Sequence, residues 1–305
     1  MTSIAVRAPA KINLFLAVRP PRADGYHDLT AVFLAVSLFD TVTVSRVAAG
    51  NGLSLTVTGP DSANVPADAT NLAWRAAVLL AQRSGIDADA DISIDKQIPM
   101  AAGLAGGSAD AAAALVALDG LWGTAMERDQ LDELAAELGS DVPFSLHGQV
   151  ALGAGRGEQL SSVLTRGRTD WVLGIARSGL ATPAVYAELD RLRAQRPLRP
   201  AQDATSVLTA LRREDPELLA RALANDLSAA AVSLRPELRR ALRAGEETGA
   251  LGALISGSGP TVAYLARDSE HAITVAARLS AEGLFASVRV ASGPVPGPRL
   301  PRARN

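Results

Sequence analysis

Along the early part of the chain, apolar residues either run together or alternate with polar ones. Residues 12–18 and 32–38 are apolar runs, and 41–44 and 53–57 alternate with a period of two, so all four are predicted to be strands. Asp24-Gly25 marks a turn between the first two. Thr70-Asn71 precedes a helical pattern over 72–83, which Gly85 closes. A strand over 91–98 leads into Pro-Met-Ala-Ala-Gly-Leu-Ala-Gly-Gly-Ser-Ala-Asp at 99–110, and an alanine-rich helix is expected over 111–121. Another helix, 128–138, stops at Gly139, and Ser140-Asp141-Val142-Pro143 restarts a helical turn, where proline is tolerated. Gly153, Gly155 and Gly157 alternate in a segment read as a turning strand, because the later glycine of a dinucleotide fingerprint is missing.

The remainder predicts strands at 171–176, 251–255, 261–266 and 286–290. Helices are expected at 184–193, 204–213, 216–229, 236–247 and 269–281. This order suits α+β better than a regular βαβ alternation. Two domains are expected, 1–160 and 168–291. The proline- and arginine-rich tail, 292–305, is expected to be disordered.

Composition narrows the chemistry. A formal net charge of −2 argues against binding nucleic acid by bulk phosphate neutralisation. The absence of cysteine excludes disulfides, thiolate nucleophiles and Cys-ligated metals. His27, His147 and His271 have no metal-ligand spacing, so no protein metal site is expected. No signal-peptide pattern is read, and Asp110 and glycines interrupt the apolar stretch around 98–118. The expectation is a cytoplasmic protein with no membrane or nucleic-acid partner.

The glycine-rich segment is the richest in information. Gly103, Gly106 and Gly107 allow close backbone approach, while Ser108 and Asp110 stand where helix caps are favoured. A turn of this kind opening a helix offers free N–H groups and the positive end of the helix dipole to a phosphate. The same composition also describes a flexible linker, and the rest of the chain must decide.

Three further features bear on that decision. Ala8-Pro9-Ala10-Lys11-Ile12-Asn13 sets a lysine and an asparagine on a strand. Gly139-Ser140-Asp141-Val142-Pro143 sets an aspartate at a helix start. Ser256-Gly257-Ser258-Gly259-Pro260 is a second glycine-rich turn. Singly, Lys11 reads as a solvated edge lysine, Asp141 as an N-cap and Tyr186 as a core aromatic. In this order, and together with Asp24-Gly25-Tyr26-His27 and the 94–100 segment, they resemble the GHMP kinase superfamily over nearly the whole chain apart from the tail. A P-loop kinase is disfavoured, since no GxxxxGK[ST] occurs.

The resemblance implies a two-domain α+β GHMP kinase fold. Its N-terminal ATP-binding domain would be ribosomal-protein-S5-domain-2-like and its C-terminal domain ferredoxin-like. Within the superfamily, the similarity is strongest to the branch that uses ATP and Mg2+ to phosphorylate the 2-hydroxyl of 4-diphosphocytidyl-2-C-methyl-D-erythritol, on the non-mevalonate route to isoprenoids. By that resemblance Pro99, Met100, Ala101, Ala102, Gly103 and Leu104, followed by Ala105, Gly106, Gly107, Ser108 and Ala109, would hold the ATP phosphates. Lys96 and Asn71 would lie on the adenosine side, and Lys11 and Asp141 would be catalytic. Asn13, Tyr26, His27, Thr182 and Tyr186 would bind a substrate carrying cytidine diphosphate. A monomer or weak homodimer is expected. The rival readings are a GHMP kinase acting on another small alcohol such as homoserine or mevalonate, and a non-catalytic nucleotide-binding regulator. Ala101, Ala102 and Ala105 stand where many members have glycine, and their Cβ atoms are expected to require negative φ. Asp110 is expected to point away from any phosphate.

Overall fold

Two long strands, β1 (Ser3–Pro21) and β2 (His27–Ser45), pair antiparallel and form the spine of the first sheet. The computed structural model describes residues 3–195, 201 and 203–301. The two strands expected at 32–38 and 41–44 are one strand. Phe39 and Asp40 pair with Pro9 and Ala8 and so join the two, and a register shift between Pro9 and Ala10 leaves Ser37 and Leu38 as a bulge.

Onto this hairpin the chain adds β3 (Leu53–Thr58), α1 (Leu72–Ser84), β4 (Ala90–Asp95), α2 (Gly106–Trp122) and α3 (Arg128–Leu138). Then come α4 (Val142–His147), β5 (Val150–Ala154) and β6 (Gln159–Ser162). The sheet is ordered β3-β4-β2-β1 with β5 and β6 added at the other end of β2, and a short strand from the second half of the chain, pairing with β1, brings it to seven. Helix α2 is buried on nearly every side, in keeping with its alanine- and leucine-rich sequence, and packs against β1, β2 and α1. Its burial anchors whatever the loop ahead of it binds.

The second half runs β7 (Thr169–Ile175), α5 (Thr182–Gln195), α6 (Thr205–Arg213), α7 (Pro216–Ala222), β8 (Ala224–Asn225), α8 (Ser228–Leu234) and α9 (Leu238–Thr248). It ends with β9 (Gly252–Ile255), β10 (Val262–Ala266), α10 (Ser269–Ala281) and β11 (Ser287–Gly293). Four of these strands form an antiparallel sheet in the order β11-β7-β10-β9. Alternate residues of β10 face opposite ways. Ala263 and Leu265 join the core shared with the first sheet, whereas Val262 and Tyr264 pack beneath α9 and α10.

The helix expected over 216–229 is broken. After α7 the chain turns extended for β8, which pairs parallel to β1 at Phe15 and Leu16, and α8 begins only at Ser228. The chain thus passes from the first sheet to the second between β6 and β7, returns briefly through β8, and returns again through the tail.

The tail also departs from expectation. Val295 donates to Ala35 O and accepts from Gln149 N, Gly297 donates to His147 O, and Pro296 bridges to Gly148. Leu300 lies so close over Gly120 that a Cβ there would overlap it. Proline suits such an extended strap, since its φ is already fixed and the missing donors are not needed. Residues 302–305 lie outside the described residues.

Candidate active site

The period-two geometry of β1 sends Lys11 and Asn13 to the face opposite Ile12 and Leu14. Both are buried side chains, and the Lys11 ammonium donates to Asn13 Oδ1 at 2.8 Å and lies 4.9 Å from the centre of the Phe33 ring. Its other neighbour is Asp141 Oδ2, at 3.5 Å. Asp141 precedes α4, yet its side chain makes no capping bond. The carboxylate is turned to the lysine instead.

The segment 99–105 is held by its carbonyls. Leu180 N donates to Ala101 O, Thr261 N to Ala102 O, Ser256 Oγ to Gly103 O and Lys11 N to Leu104 O. Among the described residues, no protein acceptor meets the N–H groups of 101–108. Helix α2 starts at Gly106, several residues earlier than expected, with Ala105 at its N-cap in the left-handed region and no side-chain cap. Ser108 and Asp110 therefore do not cap it. What remains is a helix N-terminus with open donors, which is the arrangement an anion takes.

Ala101 and Ala105 have φ of 49° and 56°, against the expectation of negative φ. Gly103, at φ 75°, is required twice over: a Cβ would also overlap the Ser256 carbonyl. Through that contact the second glycine-rich turn backs the first. Asn225 holds the second turn in place, donating to Ile255 O at 2.7 Å and Gly257 O at 2.8 Å.

These elements line a cavity of about 290 Å³ that includes Lys11, Asn13, Asp141, Ser108 and the wall from Pro99 to Gly107 except Leu104. An adjoining cavity of about 630 Å³ is lined by Tyr26, His27, Glu137, Pro183 and Asp190. Leu29, Ser140, Arg156, Thr182 and Tyr186 line both. His27 sits 3.0 Å from Asp190 Oδ1 and 5.1 Å, centroid to centroid, from Tyr186. Burial, assisted by the Asp141 charge, raises the Tyr186 phenol well above its ordinary value, so it stays a neutral aromatic wall. Thr182 Oγ1 meets Ser258 Oγ at 2.9 Å. Tyr26 is 55% exposed at the rim.

Four predicted residues lie elsewhere. Leu104 and Ala109 are fully buried in the core. Asn71 caps α1, accepting from Ala73 N and donating to Pro66 O. Lys96 does not line the cavity either. Its ammonium lies fully buried behind the loop, bonded to Asp40 and to Asp110. Burial pulls Lys96 down and the two carboxylates more than restore it. Burial also pushes the Asp110 carboxyl up, to about 8, against the pull of Lys96 and with the help of Asp40. Asp110 does point away from the loop, as expected, and its partners fix α2 to β2 and to the end of β4.

Sequence reasoning missed Arg156, Asp190, Phe33 and Asn225. Arg156 lay inside the alternating-glycine segment. The other three carry no local signal.

Family models for the GHMP kinases N terminal domain and the GHMP kinases C terminal match residues 71–149 and 207–283. A 4-diphosphocytidyl-2-C-methyl-D-erythritol kinase from Nocardia farcinica is 56% identical over 297 residues, covering 97% of this chain and 96% of that one. The chain belongs to the GHMP kinase family. Among solved GHMP kinases, a 4-(cytidine 5'-diphospho)-2C-methyl-D-erythritol kinase superposes with a TM-score of 0.78 at 34% identity, covering 95% of this chain and 98% of that one. Homoserine kinase from Cytophaga hutchinsonii also gives 0.78, at 21% identity, covering 99% and 98%, and shares the fold. Among the described residues, no helix is long and apolar enough to cross a membrane.

Proposed function

We propose that this GHMP kinase transfers the γ-phosphoryl group of ATP to the 2-hydroxyl of 4-diphosphocytidyl-2-C-methyl-D-erythritol, in the cytoplasm. The observation that carries the reading is the Lys11–Asp141 pair, lining the cavity walled by the glycine-rich turn and adjoining the cavity walled by Tyr26, His27 and Tyr186. The open N–H groups ahead of α2 suit the ATP phosphates, and the aromatic cavity suits a cytosine ring.

In the transfer, the acceptor oxygen forms a bond to the γ-phosphorus, the bond to the β–γ bridging oxygen breaks and ADP leaves. Asp141 takes the hydroxyl proton. That proton leaves late in a loose transition state, so a strong base is not required. Lys11 orients Asp141 and stabilises charge on the transferring group.

Magnesium typically uses one or two carboxylates together with substrate phosphates. The Ser108 hydroxyl lines the cavity at the open helix N-terminus and would hold the ion together with the substrate phosphates, although no cluster of three metal-ligating side chains occurs among the described residues. When bound, Mg2+ would neutralise phosphate charge.

The test is to supply the purified chain with ATP and, in parallel, 4-diphosphocytidyl-2-C-methyl-D-erythritol, homoserine or mevalonate, and to measure ADP and phosphorylated product. The expected result is turnover of the cytidine compound. Preference for an acceptor without cytidine overturns the assignment, and ATP binding with no transfer to any acceptor favours a regulator.

A further inference from the structure

The alternating-glycine segment is unexplained by nucleotide binding, yet its tip reaches the substrate side of the site. Gly155 and Gly157 both take positive φ and flank Arg156 in the tight connection between β5 and β6. Three bonds fix that connection: Leu29 N to Gly155 O at 2.7 Å, Gly157 N to Ala154 O at 2.9 Å, and Arg156 N to Glu158 Oε2 at 2.7 Å. The first ties it to β2 just beyond His27, so the turn carrying Tyr26 and the turn carrying Arg156 are held side by side. The guanidinium rests 5.1 Å from the centre of the Tyr26 ring.

Charge makes this position informative. Lys11 and Arg156 are the cationic residues lining the two cavities, and Arg156 alone lines both. The larger cavity also holds two carboxylates, Glu137 and Asp190, of which Asp190 is engaged by His27. Nearby Arg22 is neutralised by Asp24 and Asp28, at 2.7 and 3.0 Å. Among the described residues, no carboxylate forms an ion pair with the Arg156 guanidinium. An exposed arginine, stacked on an aromatic ring and uncompensated, presents a planar fork of donors to whatever crosses between the cavities. A ligand with its cytosine in the larger cavity and its hydroxyl at Asp141 crosses there with its diphosphate.

We propose that Arg156 is a substrate-binding residue that grips the diphosphate between cytidine and polyol, and so sets preference for a nucleoside-diphosphate acceptor. This rests on the function proposed above. Arginine pairs with phosphate oxygens through two parallel N–H bonds, a geometry that lysine cannot reproduce.

The experiment measures inhibition by CDP and by cytidine, together with KM for ATP, in the wild type, Arg156→Ala and Arg156→Lys. The wild type is expected to bind CDP more tightly than cytidine. Arg156→Ala should weaken CDP by about ten- to a hundredfold while leaving cytidine and ATP nearly unchanged. Arg156→Lys should recover part of the loss. Equal weakening of CDP and cytidine overturns the proposal, because Arg156 would then only prop Tyr26, and an unchanged CDP-to-cytidine ratio overturns it as well. A wild type that binds neither compound refutes the cytidine-substrate assignment, and this proposal with it.

Discussion

Lys11 Nζ and Asp141 Oδ2 stand 3.5 Å apart, one on the central hairpin and the other at the start of α4. The Asp141 side chain caps nothing, so it can be replaced without unravelling the helix. Asp141→Asn is therefore expected to lower kcat by roughly 10²- to 10⁴-fold, the usual worth of a positioned proton acceptor. ATP affinity, measured by equilibrium titration, should stay within a few-fold of wild type. A comparable loss of ATP binding would recast Asp141 as a structural residue.

Tyr26 is exposed at the rim of the larger cavity and takes no part in the core. Stacking on a base contributes about 1–3 kcal/mol, so Tyr26→Ala should raise KM for the cytidine substrate roughly tenfold. KM for ATP should barely move. Steady-state kinetics with each substrate varied in turn reads both, and parallel rises would remove Tyr26 from the substrate site.

The loop ahead of α2 offers two substitutions of opposite sign. Gly103→Ala forces a Cβ into the Ser256 carbonyl at positive φ and should cost about 1–3 kcal/mol of stability and most of the ATP affinity. Ala105→Gly relieves a left-handed alanine, φ 56°, and should gain up to about 1 kcal/mol. Urea denaturation compares the three proteins. A destabilised Ala105→Gly would mean that the alanine Cβ contributes more by packing than it costs in backbone strain.

Asp110 gives the fold a pH dependence. Its pKa is raised from 3.8 to about 8, so between those values the native chain holds a proton that the unfolded chain has released. The associated stability is complete below the unfolded value and is lost as pH rises through about 8. Asp110→Asn keeps an acceptor for Lys96 but cannot ionise. Its urea midpoint should fall less steeply than that of the wild type from about pH 4 to about pH 8. An equally steep fall would place the titration in another group.

The features legible in sequence were those encoded locally. Lys11 and Asn13 share a face because a strand has period two, and the open helix N-terminus follows from glycines leading into alanines. The burial of Lys96 was not legible because its partners, Asp40 and Asp110, come together only when β2, β4 and α2 pack. The break after α7 was hidden because Ala222-Leu223-Ala224 continues the apolar rhythm, while pairing with β1 extends the chain. The tail misled through composition. Proline and arginine suggest a segment without a core, but a strap needs only a few donors, such as Val295 N and Gly297 N, to be held.

That strap has a practical consequence for handling the protein. It runs across Leu146, His147 and Gly148, at the far end of the short helix whose first turn follows Asp141. A purification tag joined directly after Gly293, or a truncation there, would strip the backing from that helix and loosen the placing of Asp141 without altering any residue that lines either cavity.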